Sequence, residues 1–214
     1  MHVNITNSDS PLKKIILASG SPRRHALLTM IGLRHQVIPS TVDEILEPGK
    51  SAHEVAISLS EQKALDVARD RSFDLLIAAD TIVVLDGVML GKPIDTDEAI
   101  SMLQTLSGRT HEVITAVTLL SGSGAMHSFA ETTFVSFSEL NLSEIQAYVS
   151  TGSPMDKAGA YGIQDDLGSL FVKRIDGDYY NVVGLPLQRL YAELKTSAPT
   201  IASMILNPTP IPVE

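Results

Sequence analysis

Apolar residues along this chain come in two arrangements, short unbroken runs and helical stripes, and the two alternate from end to end. The run at 14–18 reads as a buried strand. Ser21-Pro22 then opens a helix over 22–31, with a hydroxyl at the N-cap, proline in the first turn and Gly32 beyond the end. Residues 36–39 are extended, and Ser51-Ala52-His53-Glu54 forms a capping box that starts a helix reaching about Asp70. The continuous apolar content of 75–79 predicts a central strand, and Asp86-Gly87 turns 82–85 back onto 88–90. A helix follows over 95–106. Residues 113–120 and 128–137 form a hairpin around Ser121-Gly122-Ser123-Gly124, a turn with neither the lysine nor the following helix of a phosphate cradle. The remaining pattern predicts a helix capped at Ser143-Glu144-Ile145-Gln146 and ended by Gly152, strands at 170–175 and 179–183 around Asp176-Gly177, and a last helix from Pro186. Such alternation describes an α/β fold, a mixed sheet flanked by helices. It covers one domain, 14–195, between an N-terminal extension, 1–13, and a proline-rich tail, 196–214, expected to be frayed or strapped across the surface.

Composition narrows the function. With 214 residues and 44% hydrophobic content the chain can bury a substantial core, and no apolar run approaches membrane-spanning length. A soluble, cytoplasmic protein without a membrane partner is expected. The absence of cysteine excludes disulfides, thiolate catalysis and cysteine-ligated zinc. A net charge of −9 argues against a broad nucleic-acid surface, so a polyanionic ligand has to bind in a local basic cleft.

Several residues carry chemistry. Arg23 and Arg24 stand in the first turn of a helix whose free N–H groups already make that end positive, an arrangement suited to an anion; the alternative is a tight turn with two solvated arginines. Asp80, with Thr81 beside it, interrupts the apolar stretch 75–85. A carboxylate there must be hydrogen-bonded, metal-bound or protonated, and it serves either a function or a bend in the strand. Helical spacing against Ala52, Ala56, Leu59 and Val67 turns Lys63 toward the protein body, with a snorkelling lysine as the alternative. Lys92 is fixed between Gly91 and Pro93. In the small-residue loop 156–164, Gln164 offers both a donor and an acceptor, the equipment for reading a nucleobase edge. Asp43-Glu44 is an acidic loop pair, and Glu44 is the better candidate to join Asp80 as a metal ligand.

In order, Ala18-Ser19-Gly20-Ser21-Pro22-Arg23-Arg24, Asp43-Glu44, Lys63-Ala64, Ala79-Asp80-Thr81, Gly91-Lys92-Pro93, Leu106-Ser107-Gly108, Asp156-Lys157-Ala158-Gly159-Ala160-Tyr161-Gly162-Ile163-Gln164 and Asn181-Val182-Val183-Gly184-Leu185-Pro186-Leu187 resemble the Maf-type nucleoside triphosphate pyrophosphatases from about Lys14 to Leu194. The resemblance implies an elongated α/β fold similar to that of inosine triphosphate pyrophosphatases, two lobes around a cleft. It also implies hydrolysis of a nucleoside triphosphate between the α and β phosphates with a divalent metal, Mg²⁺ or Mn²⁺. The form of the 156–164 loop is similar to that of the branch acting on dTTP and UTP; the alternatives are 7-methyl-GTP or other modified nucleotides, or a nucleotide-binding regulator of cell division. Carried over, Asp80 is the proton acceptor, Arg23, Thr81 and Gln164 bear on base choice, and Ser19, Arg24, Lys63 and Lys92 line the phosphate path. Three departures stand out: Ser153 where glutamate is usual, Gln62 where glutamate is frequent, and Asp165-Asp166-Leu167-Gly168 in place of a shorter connection. A homodimer is the default assembly, being the commonest.

Overall fold

The computed structural model describes residues 13–165 and 167–206. The N-terminal extension apart from Lys13, Asp166 and the last part of the tail lie outside the described residues. Seven strands form one mixed sheet in the order β2-β1-β3-β5-β6-β7, with β4 paired to β3 beside that path. These are β1 (Ile15–Ala18), β2 (Gln36–Val37), β3 (Leu75–Leu85), β4 (Val88–Leu90), β5 (Thr110–Ser121), β6 (Met126–Phe137) and β7 (Val172–Asp176). β1 runs parallel to both β2 and β3, and the remaining pairings are antiparallel. The expected α/β architecture is what the chain adopts.

Alternation along β3 divides its side chains between two cores. Leu75, Ile77, Ala79, Val83 and Leu85 join the large core together with α1 (Pro22–Met30), α3 (Thr96–Leu106), α4 (Leu142–Val149) and α6 (Leu187–Ser197). Leu76 and Ala78, then Ile82 and Val84, face the other way, onto α2 (Ala52–Ala68). Each leucine, isoleucine or valine so enclosed contributes about 1.5–3 kcal/mol. The 17-residue α2 starts at the capping box expected for it, Ser51 accepting from Glu54 N–H and Glu54 accepting from Ser51 N–H. No described helix is long and apolar enough to cross a membrane.

Four elements differ from the sequence reading. β3 runs unbroken for 11 residues through Asp80 and Thr81, which pair with Ala116 and Thr115, so no bend accompanies the acid. The strand expected at 179–183 is a short helix, α5 (Tyr179–Val183). Asp178 accepts from Tyr180 N–H at its start, and this local cap outweighs the β-forming tendency of the tyrosines and valines. The helix at 142–149 is capped by Asn141 rather than by Ser143, because Asn141 places Glu144 at the position from which it closes a capping box. The described part of the tail forms a helix, α7 (Pro199–Leu206), whose Ile201 and Ala202 are buried in the large core.

Candidate active site

The site forms where the sheet is incomplete. β1 stops at Ala18, opposite Ala78, and β4 begins to pair only at Val83. Among the described residues, 79–82 therefore have no strand on that edge of β3, and Asp80 and Thr81 sit in the gap on opposite faces. A cleft of about 780 Å³ opens around them, lined by Ser19, Arg23, Arg24, Glu44, Lys63, Asp80, Thr81, Lys92 and Gln164. Every residue assigned a role from the sequence thus faces one space. Asp43, the neighbour of Glu44, is not among those that line it.

On the α2 face, Asp80 meets Lys63. Leu59 and Val67, four residues either side of Lys63, are buried, and that helical face carries the lysine inward. Lys63 donates to Asp80 Oδ1. Asp80 and Lys63 keep only 13% and 16% of their side-chain surface, too little for water to solvate either charge fully, so each depends on the other. Lys63 Nζ also lies 2.9 Å from Glu44 Oε1. Two carboxylates share one ammonium as their direct partner, and the buried Arg24 guanidinium is a second positive charge that both of them feel.

Gln62, one of the departures, holds Glu44 in place. Its side-chain carbonyl accepts from Ile45 N–H at 2.9 Å and its amide donates to Ile45 C=O at 3.0 Å. An ionised glutamate offers no donor and could make only the first of these bonds.

On the opposite face, Arg24 acts as a clamp. Its guanidinium donates to Gly184 C=O (2.8 Å), Ser19 Oγ (3.1 Å), Ala79 C=O (2.8 Å) and Thr81 Oγ1 (2.9 Å). Of five N–H groups one remains for a ligand. Burial pulls its pKa below the ordinary value against the opposing charges of Asp80 and Glu44, and the group stays cationic. Ala79 C=O belongs to the edge that lacks a strand, so the arginine replaces a missing backbone partner.

Behind Thr81 runs a directed chain of hydrogen bonds. Thr115 Oγ1 donates to Asn181 C=O at 2.9 Å, so the proton between Thr81 and Thr115, 3.0 Å apart, belongs to Thr81. Thr81 accepts from Arg24 and donates to Thr115, so its proton is committed and one acceptor lone pair remains. Asn181, wholly buried, donates to Val113 C=O and Thr133 Oγ1. Sequence reasoning found Asn181 only as part of a motif. The signal that marks it out, a polar side chain inside the core, exists only in three dimensions.

Arg23 does not wait for a ligand either. Its Nη1 donates to Asp156 Oδ2 at 2.9 Å, and the other oxygen of Asp156 accepts from Lys157 at 2.7 Å. Burial pushes the Asp156 carboxyl up, but hydrogen bonds from Lys157 and Arg23 outweigh it and hold the group below the ordinary aspartate value. The anion demanded by arginines at a helix start is thus partly supplied from within. Lys92 is exposed on the cleft, and no ion pair of its own is formed among the described residues. The turn beside it is fixed by Gly159, which donates to Gly91 C=O at 3.0 Å; with φ +69° and Val83 3.1 Å from where a Cβ would stand, the position excludes a side chain.

The Maf-like protein family model matches residues 14–197. This chain belongs to the Maf family. Among its Maf relatives, a dTTP/UTP pyrophosphatase of Bacillus cereus (strain G9842) is 49% identical over 184 residues, covering 86% of this chain and 95% of the relative. A dTTP/UTP pyrophosphatase of Halalkalibacterium halodurans is 50% identical over 184 residues, covering 86% and 96%. Among solved structures the Staphylococcus aureus Ham1 protein matches 58% of this chain and 72% of its own, at 18% identity and a TM-score of 0.42.

No group of three or more histidine, aspartate and glutamate side chains that could hold a metal occurs among the described residues. Asp80 and Glu44 are a pair. That suits Mg²⁺ or Mn²⁺, which commonly take one or two protein carboxylates and complete their shell with substrate phosphates and water.

Proposed function

We propose that this Maf-family protein hydrolyses nucleoside triphosphates, dTTP and UTP foremost, between the α and β phosphates, releasing the nucleoside monophosphate and pyrophosphate. The observation that carries the reading is the Asp80–Lys63–Glu44 cluster. It is a largely enclosed carboxylate with a second carboxylate on the same ammonium, set in a gap of the sheet on a cleft that the first turn of α1 and Lys92 also line. The names of the relatives support the base preference.

Asp80 takes the proton of the attacking water. As the O–H bond breaks, the water oxygen bonds to the α phosphorus, and the bridging oxygen to the β phosphorus leaves with its electron pair on pyrophosphate. Lys63 orients the carboxylate, and Lys92, Ser19 and the first turn of α1 receive the phosphate chain. Arg24 fixes the loop and the edge of β3 against which the chain lies. A divalent cation held by Asp80 and Glu44 would neutralise phosphate oxygens and acidify water. Arg23 and Gln164, which line the same cleft, would meet the base.

The test is to incubate the pure protein with Mg²⁺ or Mn²⁺ and a panel of ordinary and modified nucleoside triphosphates and to identify the products. Monophosphate and pyrophosphate, with dTTP and UTP preferred, are expected. Diphosphate and orthophosphate would overturn the chemistry, and a preference for 7-methyl-GTP would overturn the base assignment.

A further inference from the structure

Gln164 stands at the tip of a turn. Asp165 N–H donates to Gly162 C=O at 3.1 Å and closes it, Ile163 is sunk in the large core, and Gln164 is exposed on the cleft. The side chain of Asp165 folds back beneath that turn instead of pointing to solvent. Its Oδ2 accepts from Tyr148 Oη at 2.7 Å and from Ser153 Oγ at 2.6 Å, and lies 3.2 Å from Lys157 Nζ. The carboxylate is packed so closely that a Cβ on Gly162 would lie 2.5 Å from it. Tyr148 Oη in turn accepts from Gly162 N–H at 3.0 Å, so the first residue of the turn is tied to the side chain of the last. Burial and the bond to Asp165 raise the pKa of Tyr148, which keeps its proton and remains the donor.

The node extends to α1. Lys157, with only 9% of its side-chain surface exposed, also donates to Asp156 Oδ1, and Asp156 accepts from Arg23. Arg23, Asp156, Lys157 and Asp165 therefore alternate in sign and leave no net charge. Gln164 follows directly at one end and Arg23 terminates the other. A neutral, saturated chain gives nothing to a phosphate, and its value lies in fixing geometry.

Resting on the pyrophosphatase reading, we propose that Asp165 is a positioning residue for base selectivity: its carboxylate, held by Tyr148, Ser153 and Lys157, sets the turn bearing Gln164 and couples it through Lys157 and Asp156 to Arg23, so that the two base-facing side chains act as one unit. The two departures at positions 153 and 165 belong together, since Ser153 is short enough to leave room for Asp165 and donates to it.

The experiment compares wild type, Asp165→Asn, Asp165→Ala, Gln164→Ala, Gln164→Ala with Asp165→Ala, and Ser153→Glu with Asp165→Ala. For each, kcat and KM are measured with dTTP, UTP, ATP and GTP, alongside thermal unfolding. Equilibrium binding of non-hydrolysable analogues is read in parallel. Both Asp165 variants are expected to narrow the preference for dTTP over GTP by about tenfold, through KM rather than kcat, because a base contact is made equally in ground and transition states. The double variant with Gln164→Ala loses no more selectivity than Gln164→Ala alone, the mark of residues acting together. Ser153→Glu, placing a carboxylate within reach of Tyr148 and Lys157, restores the preference in Asp165→Ala. Folded Asp165 variants with unchanged selectivity, additive losses, or a failed rescue would each overturn the inference. If Asp165→Ala does not fold, the isosteric Asp165→Asn decides. A wild type that binds the analogues selectively but yields other products would defeat the pyrophosphatase reading and leave the inference standing on the binding data.

Discussion

In one cluster on the cleft, Asp80 and Glu44 share the single ammonium of Lys63; in another, which reaches from the cleft to Asp165 behind it, Arg23, Asp156, Lys157 and Asp165 alternate so that each charge has a direct partner. The residue types are the same, and the difference is in how completely they are paired. On the proposed function, the carboxylate pair with one direct partner is where a metal ion and the phosphates it brings would bind. A complete set is electrostatically silent and rigid, which suits the recognition of an uncharged base. On the proposed function, one cleft then holds a reactive end, Asp80 with Glu44, and a reading end, Arg23 with Gln164.

The sharpest way to break this contrast is Asp80→Asn. Turnover is expected to fall about 10²–10⁴-fold, the usual contribution of a general base, while nucleotide affinity, read by calorimetry, stays within about tenfold. Unchanged turnover would take Asp80 out of its role.

Next comes acid stability at the reading end, where buried His111 meets Tyr161 Oη at 2.8 Å and keeps Nδ1 without a partner among the described residues. Burial lowers its pKa from 6.5 to about 4. As pH falls the unfolded chain takes up this proton first, so stability is whole above about 6.5 and is lost progressively down to about 4, in all by about 3 kcal/mol. Denaturant unfolding at several pH values should show that slope, and His111→Phe should flatten it.

Smaller effects sharpen the reactive end. Glu44→Gln removes one of the two carboxylates proposed to hold the metal and is expected to raise the half-saturating Mg²⁺ concentration about tenfold, an energy of about 1.4 kcal/mol, with kcat at saturating metal little changed. Gln62→Glu loses one of the two bonds that steady the Glu44 loop. A hydrogen bond worth about 0.5–1.5 kcal/mol translates into a rise of about two- to tenfold in the same quantity. An unaltered metal requirement in both variants would detach Glu44 from the metal.

Much of this was legible in the chain itself. A lone acid in an apolar run, a lysine at inward helical spacing and a glutamine ending a small-residue loop were each visible locally, because burial of a charge or exposure of an amide follows from immediate neighbours. What escaped depends on distant pairing. Nothing local in the sequence shows that the Thr81 proton goes to Thr115 and that its oxygen accepts from Arg24. The arginines looked like free anion binders, yet one faces Asp156 and the other clamps a carbonyl across the gap. The 179–183 segment has the composition of a strand, and only the Asp178 cap shows why it coils. Tyr148 sits on the apolar face of its helix as a core residue does, and its hydroxyl function appears only when Gly162 arrives.

The short reach of β1 has one more consequence. It ends after four residues, whereas β3 continues for 11. Were β1 a turn of the pleat longer, backbone would zip across the seam and Asp80 would become an ordinary occupant of a closed ladder, shut away from solvent. The opening beside this acid is therefore a property of chain length next door as much as of the acid itself. Inserting residues between Ala18 and Ser19 would test this, by lengthening the strand and shifting Ser19 and the start of α1 away from the gap.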